Sequence, residues 1–443
     1  MAMAVATSFH QCSVTYNRHA LHKNHFLFIF RCASSHSSLL LFNRVNTQYN
    51  SSFQGFSTST GSHQQAWIMS VGDRCRNRQA LSLVKLLGLE PVIKNIQPSA
   101  SIQWIFPTLQ LKFLQDTSTA LSNPNRLSTL PWYLTSPNGD TLDGEAPAVV
   151  ISSCADTILP ALLVKKLSEG KSKAIHLQDP LVDVIHFDAC LIPKHFWPTI
   201  GLTAADEIKL GVYRTDGILN PISREYLNTV SIEHISESFR NLEADRVIAV
   251  LVSGETTNLF AWYSDHSNRL IRHFEQLLTI HNVKMMLSFS DRTPETVRTR
   301  LMTWHSKLKP DLQSRVLCLK DQDSDQYNSA LALSTDVLVF SDSPMLTTEA
   351  ICSGRRVYLV GFTSTLGTLR EFHQAHILAK RVRIFKPSQW EVEPEDQEDV
   401  LCEGAEFHNG FGGGDPEKDG GQCNVLPEAY LSKLKELILN KNS

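Results

Sequence analysis

The chain contains 443 residues, 42% of them hydrophobic, which is enough apolar material for two globular domains. Its formal net charge of −3 gives it no general attraction to nucleic acid or to anionic lipid, so we expect no nucleic-acid partner. The nine cysteines include no Cys-x-x-Cys pair, which predicts reduced thiols and no metal site. No uninterrupted apolar stretch reaches the length of a transmembrane segment.

Residues 1–65 differ in composition from the rest of the chain. No Asp or Glu occurs before Asp73, serine is abundant, and four scattered Lys and Arg residues make the segment positive. This composition is typical of an organelle transit peptide, so we predict a disordered leader. Its short apolar pieces are interrupted by polar residues, which allows peripheral contact with a membrane surface but no span. The abundance of serine favours a plastid over a mitochondrion as the destination of this leader.

The folded part begins with a predicted βαβ unit. Trp67–Val71 is predicted as a strand, 78–87 as a helix and 92–96 as a second strand. The loop after the first strand lacks the GxGxxG pattern, so dinucleotide binding is not supported. Asp73 in this loop and Gln79 in the helix are the candidate residues of a cleft on this side.

The remainder of the first half alternates between apolar runs and polar segments. Ile102–Leu114 is apolar and is predicted to be a packed helical segment. Further predicted elements are a strand at 148–152, a helix at 157–167 and strands at 173–177 and 189–192. We therefore expect an N-terminal Rossmann-like domain at 66–195, followed by an interdomain connection at 196–245 with few signals of buried strands.

The second half has the clearer pattern. Five apolar runs predict strands at 247–252, 283–289, 316–319, 337–340 and 357–360. Helical patterns separate them at 265–281, 294–308, 326–334 and 345–353. Strict alternation of strand and helix predicts a parallel, doubly wound sheet, here a C-terminal Rossmann-like domain at 246–390. The predicted fold class is therefore α/β, with two doubly wound domains facing a cleft.

Two loops of the second domain contain candidate anion-binding residues. The first strand ends in Ser253–Thr257, a loop of small residues in which Gly254 would allow close approach of a phosphate. The second strand ends in Ser290–Pro294, where Arg292 would pair with an anion. Ordinary turn chemistry explains both loops equally well.

The segment Asp336–Gly361 is predicted as strand, loop, helix and strand, and it contains the richest candidate site. Ser343 precedes the helix, whose first amides favour an anion, and Thr348 and Glu349 follow one turn later. As a carboxylate, Glu349 would accept hydrogen bonds from two sugar hydroxyl groups. The pattern favours a simpler interpretation, in which Glu349 is a solvated helix residue and the hydroxyl groups are caps.

The last part of the chain is predicted to be less regular. An acidic run and a glycine-rich stretch predict a flexible insertion at 391–425. An amphipathic pattern predicts a C-terminal helix within 426–443.

Several short segments, taken in this order, resemble the plant mitochondrial-fission "elongated mitochondria" family and its bacterial relatives. The segments are 79–83, 150–157, Gln178 with Pro180, 187–188, 193–195, 290–294, 342–343, 349–350 and Gly354. The resemblance implies a GT-B-like fold. It also implies a role on the cytosolic face of mitochondria. It also implies recruitment of a dynamin-related GTPase, with no secure catalytic activity and no cofactor.

The alternative function is that of a GT-B glycosyltransferase using a nucleotide-diphosphate sugar. Its general base would come from the first domain, where Asp73, Asp156 and His176 are candidates. The sequence does not identify which residue would be catalytic. Glu255 would repel a phosphate beside Gly254, which departs from the family pattern. A cleaved leader would carry the protein into an organelle, which conflicts with binding to a cytosolic GTPase.

A third possibility is a non-enzymatic two-domain protein that uses the fold for an unrelated interaction.

Overall fold

Two six-stranded parallel sheets dominate the part of the chain described by the computed structural model. The structure describes residues 64–116, 129–201, 203, 211–320, 323–385 and 425–439. Nearly all of the predicted leader and insertion therefore lie outside the described residues.

The strands have the following bounds. They are β1 (Gln65–Met69), β2 (Glu90–Lys94), β3 (Gln97–Pro98), β4 (Leu134–Thr135), β5 (Val149–Ser152), β6 (Lys173–Leu177), β7 (Ala189–Pro193), β8 (Val212–Thr215), β9 (Arg246–Val252), β10 (Val283–Phe289), β11 (Val316–Cys318), β12 (Asp336–Phe340), β13 (Arg356–Val360) and β14 (Arg383–Ile384).

The described α-helices have these bounds. They are α1 (Arg74–Leu87), α2 (Pro107–Gln110), α3 (Phe113–Asp116), α4 (Ala155–Leu167), α5 (Trp197–Ile200), α6 (Arg224–Thr229), α7 (Glu237–Arg240), α8 (Ser264–Ile280), α9 (Glu295–Lys307), α10 (Pro310–Gln313), α11 (Ser324–Leu333), α12 (Pro344–Cys352), α13 (Gly367–Leu378) and α14 (Glu428–Leu439). Short 3-10 helices lie at Val184–His186, Lys194–Phe196 and Phe362–Ser364.

Strand order identifies the two sheets as doubly wound. The N-terminal sheet has the order β2-β1-β5-β6-β7-β8 and the C-terminal sheet has the order β11-β10-β9-β12-β13-β14. Each order reverses once, between β1 and β5 and between β9 and β12. Open α/β sheets bind ligands at such switch points, outside the carboxyl ends of the strands. The predicted fold class, α/β with two doubly wound, Rossmann-like sheets, is confirmed.

One apolar core continues from one sheet to the other. It includes Ile68 and Ile151 from the first sheet and Leu251 and Val339 from the second, all buried. The C-terminal helix α14 contributes Leu434 to the same cluster. Strands covered on both faces are nearly continuous hydrophobic runs, which is why these segments were predictable.

The structure corrects two predictions about the first half. Val212–Thr215, within the predicted interdomain connection, forms β8 at the edge of the N-terminal sheet. This strand was missed because it is short and contains Arg214, so it makes no apolar run. The predicted helical segment Ile102–Leu114 instead forms turns and the one-turn helices α2 and α3.

Candidate functional site

The loop after β9 closes on the carboxylate of Asp342, which follows β12. Ser253 Oγ donates a hydrogen bond to Asp342 Oδ2 at 2.7 Å. The N–H groups of Gly254 and Glu255 donate to the same oxygen at 3.0 Å each. Converging backbone N–H groups of this kind form an anion-binding nest at the switch point of the sheet. In this structure the anion in the nest is the chain's own carboxylate.

Backbone conformation favours glycine at position 254. Its φ of +86° lies in the left-handed region, which disfavours other residues. Its Cα packs close to the sheet, where a Cβ atom would be in van der Waals contact with the Phe340 ring at 3.4 Å and with Trp262 at 3.6 Å. Gly254 therefore keeps the loop close to the sheet and directs its N–H towards Asp342. Burial raises the pKa of the Asp342 carboxyl, and the hydrogen bonds from the loop oppose this shift.

Arg292, in the loop after β10, and Asp73, in the loop after β1, connect the two sheets. Arg292 Nη2 lies 3.4 Å from Asp73 Oδ2, and its Nε lies 4.0 Å from Glu255 Oε2. Asp73 is also the N-cap of α1, where Oδ1 accepts the N–H of Arg76 at 3.1 Å. The cation predicted to pair with an anion thus pairs with carboxylates of this chain.

Glu349 is completely buried and is held by residues from two other helices. Tyr327 Oη, on α11, donates to Glu349 Oε2 at 2.5 Å. Arg78 Nη2, on α1, forms an ion pair with Glu349 Oε1 at 3.1 Å, without the alignment of a hydrogen bond. The Arg78 guanidinium also lies over the Tyr327 ring, 5.5 Å from its centroid. Burial, followed by the nearby Glu349 carboxylate, raises the pKa of Tyr327 well above its ordinary value.

The interpretation of Glu349 as a solvated helix residue is wrong. Its side chain has 0% exposure, and every described helical residue after Pro344 in α12 is buried. A lone carboxylate in an otherwise uncharged, apolar helix needs a cation or hydrogen-bond donors when it is buried. That signal was present in the sequence, although it could not identify Arg78 or Tyr327 as the partners.

Ser343 and Thr348 form local contacts within the protein. Ser343 is the N-cap of α12, and its Oγ accepts the N–H of Leu346 at 3.3 Å, as the capping interpretation predicted. Thr348 Oγ1 donates to the Pro344 carbonyl at 2.8 Å and accepts the N–H of Ile218 at 3.2 Å. Thr348 thereby joins α12 to the chain that follows β8.

Gln79 lies on the buried face of α1. It is buried, and its Oε1 accepts a hydrogen bond of 2.8 Å from Gln178 Nε2. Gln178 has a φ of +76°, which is uncommon for a residue with a side chain. The pair connects α1 to the loop after β6, so its polar groups satisfy each other.

His176 and Asp156, two of the candidate general bases, differ in their exposure to solvent. His176 is fully buried in β6, where Nδ1 lies 2.7 Å from Ser152 Oγ and Nε2 lies 3.1 Å from the Asp179 carbonyl oxygen. Burial lowers the pKa of His176 to about 4, so the ring is neutral near pH 7. Asp156 lies in the first turn of α4 and is partly exposed. The structure thus makes His176 a core residue, as its place after an apolar run indicated.

Neither a metal centre nor a membrane-spanning helix is present in the part of the chain that the structure describes. No group of three or more His, Cys, Asp or Glu side chains there has an arrangement that would hold a metal ion. No described helix combines the length and apolar character that crossing a bilayer requires.

A protein-family model described as "Mitochondrial fission ELM1" matches residues 76–403, which is more than half of the chain. No curated protein sequence matches this chain.

Solved structures with a similar arrangement include two sugar-nucleotide enzymes from bacteria. UDP-GlcNAc 2-epimerase from Neisseria meningitidis, bound to UDP-GlcNAc, has 13% identity and a TM-score of 0.45, with 85% of this chain and 99% of that chain covered. ADP-heptose lps heptosyltransferase II from E. coli has 12% identity and a TM-score of 0.38, with 86% and 100% covered. The catalytic domain of starch synthase IV from Arabidopsis thaliana, bound to ADP and acarbose, has 9% identity and a TM-score of 0.40, with 85% and 95% covered.

Proposed function

The chain belongs to the mitochondrial fission ELM1 family, and from this membership we propose that it is a non-catalytic mitochondrial fission factor. In this role it promotes recruitment of a dynamin-related GTPase to the outer surface of the organelle. Its functional contacts are then with a protein partner, and it needs neither a sugar donor nor an acceptor.

The observation that supports a non-catalytic role is the self-filled nest at the switch point of the C-terminal sheet. Ser253, Gly254 and Glu255 direct three donors at one oxygen of Asp342. A donor diphosphate in a GT-B enzyme needs such donors to stabilise the charge of its leaving group. A phosphate at this position would have to displace one carboxylate and would also face Glu255, which repels it.

The burial of Glu349 supports the same proposal. A carboxylate that binds a ribose or a sugar has to present oxygen atoms to the cleft. Both oxygens of Glu349 face side chains of this protein, Tyr327 Oη at 2.5 Å and Arg78 Nη2 at 3.1 Å. A sugar hydroxyl group would have to replace one of these contacts inside a buried cluster.

One observation favours the alternative, a glycosyltransferase that uses a nucleotide-diphosphate sugar. Arg292 is 46% exposed, and its contacts with Asp73 and Glu255 are 3.4 and 4.0 Å long. Partly exposed ion pairs of this kind contribute little free energy, so a polyanionic ligand could compete for Arg292. In that case the leader composition would favour a location inside an organelle, including a plastid.

Complementation of cells that lack the protein tests the proposed role. The full-length chain, tagged at its C-terminus, would be expressed as wild type or as the double variant Arg292→Ser, Glu255→Gln, and mitochondrial length would be scored. We expect elongated mitochondria without the protein, tagged protein on the organelle surface, and rescue by both forms, because the cleft charges are not used for catalysis. A folded double variant that fails to rescue, or protein inside the matrix or a plastid, would contradict the proposal.

Ligand binding distinguishes the two functions directly. Thermal unfolding of the wild type and of Arg292→Ser would be followed with UDP, ADP and UDP-GlcNAc as probes. A ligand that binds the folded state raises its stability by mass action, so we expect no shift for an adaptor. A rise in Tm for the wild type that disappears in Arg292→Ser would instead support the glycosyltransferase.

A further inference from the structure

Three histidines lie around the Phe372 ring, where the N-terminal half of the chain contacts α13. The centroid of the Phe372 ring is 4.8 Å from that of His195, 5.1 Å from that of His373 and 4.6 Å from that of His376. His195 belongs to the 3-10 helix Lys194–Phe196 after β7, whereas the other two histidines are on α13. We call His195, His373 and His376 the histidine junction, because they meet between parts of the chain that are distant in sequence.

His373 has no place for a second proton in this arrangement. It is fully buried, and its Nε2 lies 2.7 Å from the carbonyl oxygen of Ser341. A carbonyl oxygen only accepts, so Nε2 carries the proton of the neutral ring and donates it. Nδ1 is buried and has no hydrogen-bond partner among the residues that the structure describes. Protonation of Nδ1 would therefore create a buried, charged donor without an acceptor, which is unfavourable.

The charges beside the junction do not balance added protons. Asp216, which follows β8, is the carboxylate that acts on His376, while Arg381 and the other two histidines oppose protonation there. Asp216 is already paired with Lys194 and with Arg381, whose Nη2 lies 3.4 Å from Asp216 Oδ2. Protonated histidines would therefore repel one another and Arg381, and more strongly in this buried setting than in water.

The remaining charged side chains on α13 and its neighbours have other surroundings. The Arg370 guanidinium, on α13, lies 5.3 Å from the centroid of the Phe362 ring. Glu371 on the same helix and Lys380 just after it are exposed, so solvent screens their charges. Glu349 on α12, which packs against α13, is bound within the buried cluster described above.

We propose that the histidine junction is an acid-sensitive latch, which holds α13 against the N-terminal half near neutral pH and releases it when the histidines take up protons. Burial lowers the pKa of His195 and His376 to about 3 and that of His373 to about 4. Once released, the rings would regain the ordinary pKa of about 6.5, so the released state binds more protons between about pH 4 and 6.5. Release is therefore favoured as the pH falls through this window. The latch is a property of the chain itself and does not depend on a role in fission.

Release of α13 differs from unfolding of the whole chain in the number of protons taken up. His176 is also buried with a lowered pKa, but it lies in β6, beside Phe187 and Ser152. Release exposes the three histidines of the junction, whereas global unfolding exposes His176 as well. The two processes can therefore be separated by their dependence on pH.

Hydrogen exchange of the full chain, followed by mass spectrometry from about pH 7 to about pH 5, tests the latch. After correction for the chemical exchange rate, we expect the protection of α13 to fall by up to about tenfold per pH unit for each histidine. Protection of β10, a strand paired on both sides, reports global unfolding and should fall less. His195→Phe and His376→Phe, which keep an apolar ring, should each reduce the slope for α13 by about one proton. His176→Asn is the matched control and should leave that slope unchanged.

The wild type alone is sufficient to refute the latch, even where a variant does not fold. Protection of α13 that stays constant over this pH range, or that falls in step with the protection of β10, would overturn the proposal. So would a slope that both folded phenylalanine variants leave unchanged, because the protons would then bind elsewhere. Far-ultraviolet circular dichroism near pH 7 would establish that each variant is folded.

Discussion

At the scale of single residues, several polar groups of the candidate site are paired with other groups of the protein. Asp342 accepts three hydrogen bonds from the loop after β9, and Gln79 accepts one from Gln178. Polar groups that lose water on folding have to find partners, and here the partners belong to the protein. This pairing explains why a side chain of a type that often binds ligands can instead be bonded to another group of the protein.

Asp342→Ala tests the contribution of the self-filled nest. It removes the acceptor for Ser253 Oγ and two N–H groups, so we expect the free energy of unfolding to fall by about 1–3 kcal/mol. Asp342→Asn keeps one oxygen acceptor and should cost less. Chemical denaturation measures both, with Asp291→Ala at an exposed site as the control. Equal stability of wild type and Asp342→Ala would show that the nest contributes nothing.

At the scale of elements, Glu349 connects three helices. It lies on α12, Tyr327 lies on α11 and Arg78 lies on α1, so the cluster ties the first helix of the N-terminal sheet to the second half of the chain. Breaking a buried ion pair costs more than the pair contributes, because the remaining group keeps its desolvation cost. The cluster is therefore a sensitive point of the helix packing.

Glu349→Ala should lower the free energy of unfolding by about 3–5 kcal/mol, since it removes a buried carboxylate facing a cation and a phenol. Glu349→Gln keeps an oxygen acceptor for Tyr327 and should cost less. A double-mutant cycle with Tyr327→Phe would measure the coupling of the hydrogen bond by urea denaturation. Additive effects of the two substitutions would contradict the contact.

At the scale of the whole molecule, three buried histidines link stability to pH. Burial lowers the pKa of His176 and His373 to about 4 and that of His376 to about 3. Because these folded-state pKa values lie below the ordinary value of about 6.5, the unfolded chain binds more protons between about pH 4 and 6.5. Stability is therefore fully present above this window and falls as the pH decreases through it.

We expect the free energy of unfolding to fall by up to about 1.4 kcal/mol per pH unit for each histidine in this window. Urea denaturation at about pH 7 and about pH 5 measures the slope. His376→Phe should remove the contribution of one proton, with the exposed His234 replaced as the control. A slope unchanged by His376→Phe would contradict the assignment to this histidine.

The amino-acid sequence determined the elements whose signal is local. Buried strands such as β10, predicted at its observed bounds of Val283–Phe289, are continuous apolar runs, and the helices between them have caps and amphipathic patterns. Together these local signals were sufficient for the fold class. The edge strand β8 escaped because a short strand containing Arg214 lacks such a run.

Only the tertiary structure decided what the candidate residues do. The sequence singled out Gly254, Arg292 and Glu349 as candidate site residues, but their partners are distant along the chain. Asp342 and Ser253, for example, are 89 residues apart. A polar side chain is equally suited to a ligand or to an internal partner, and the choice depends on which groups the folded sheets bring within about 3 Å. Local sequence patterns contain no information on such long-range distances, so the self-filled nest and the buried Glu349 emerged only from the fold.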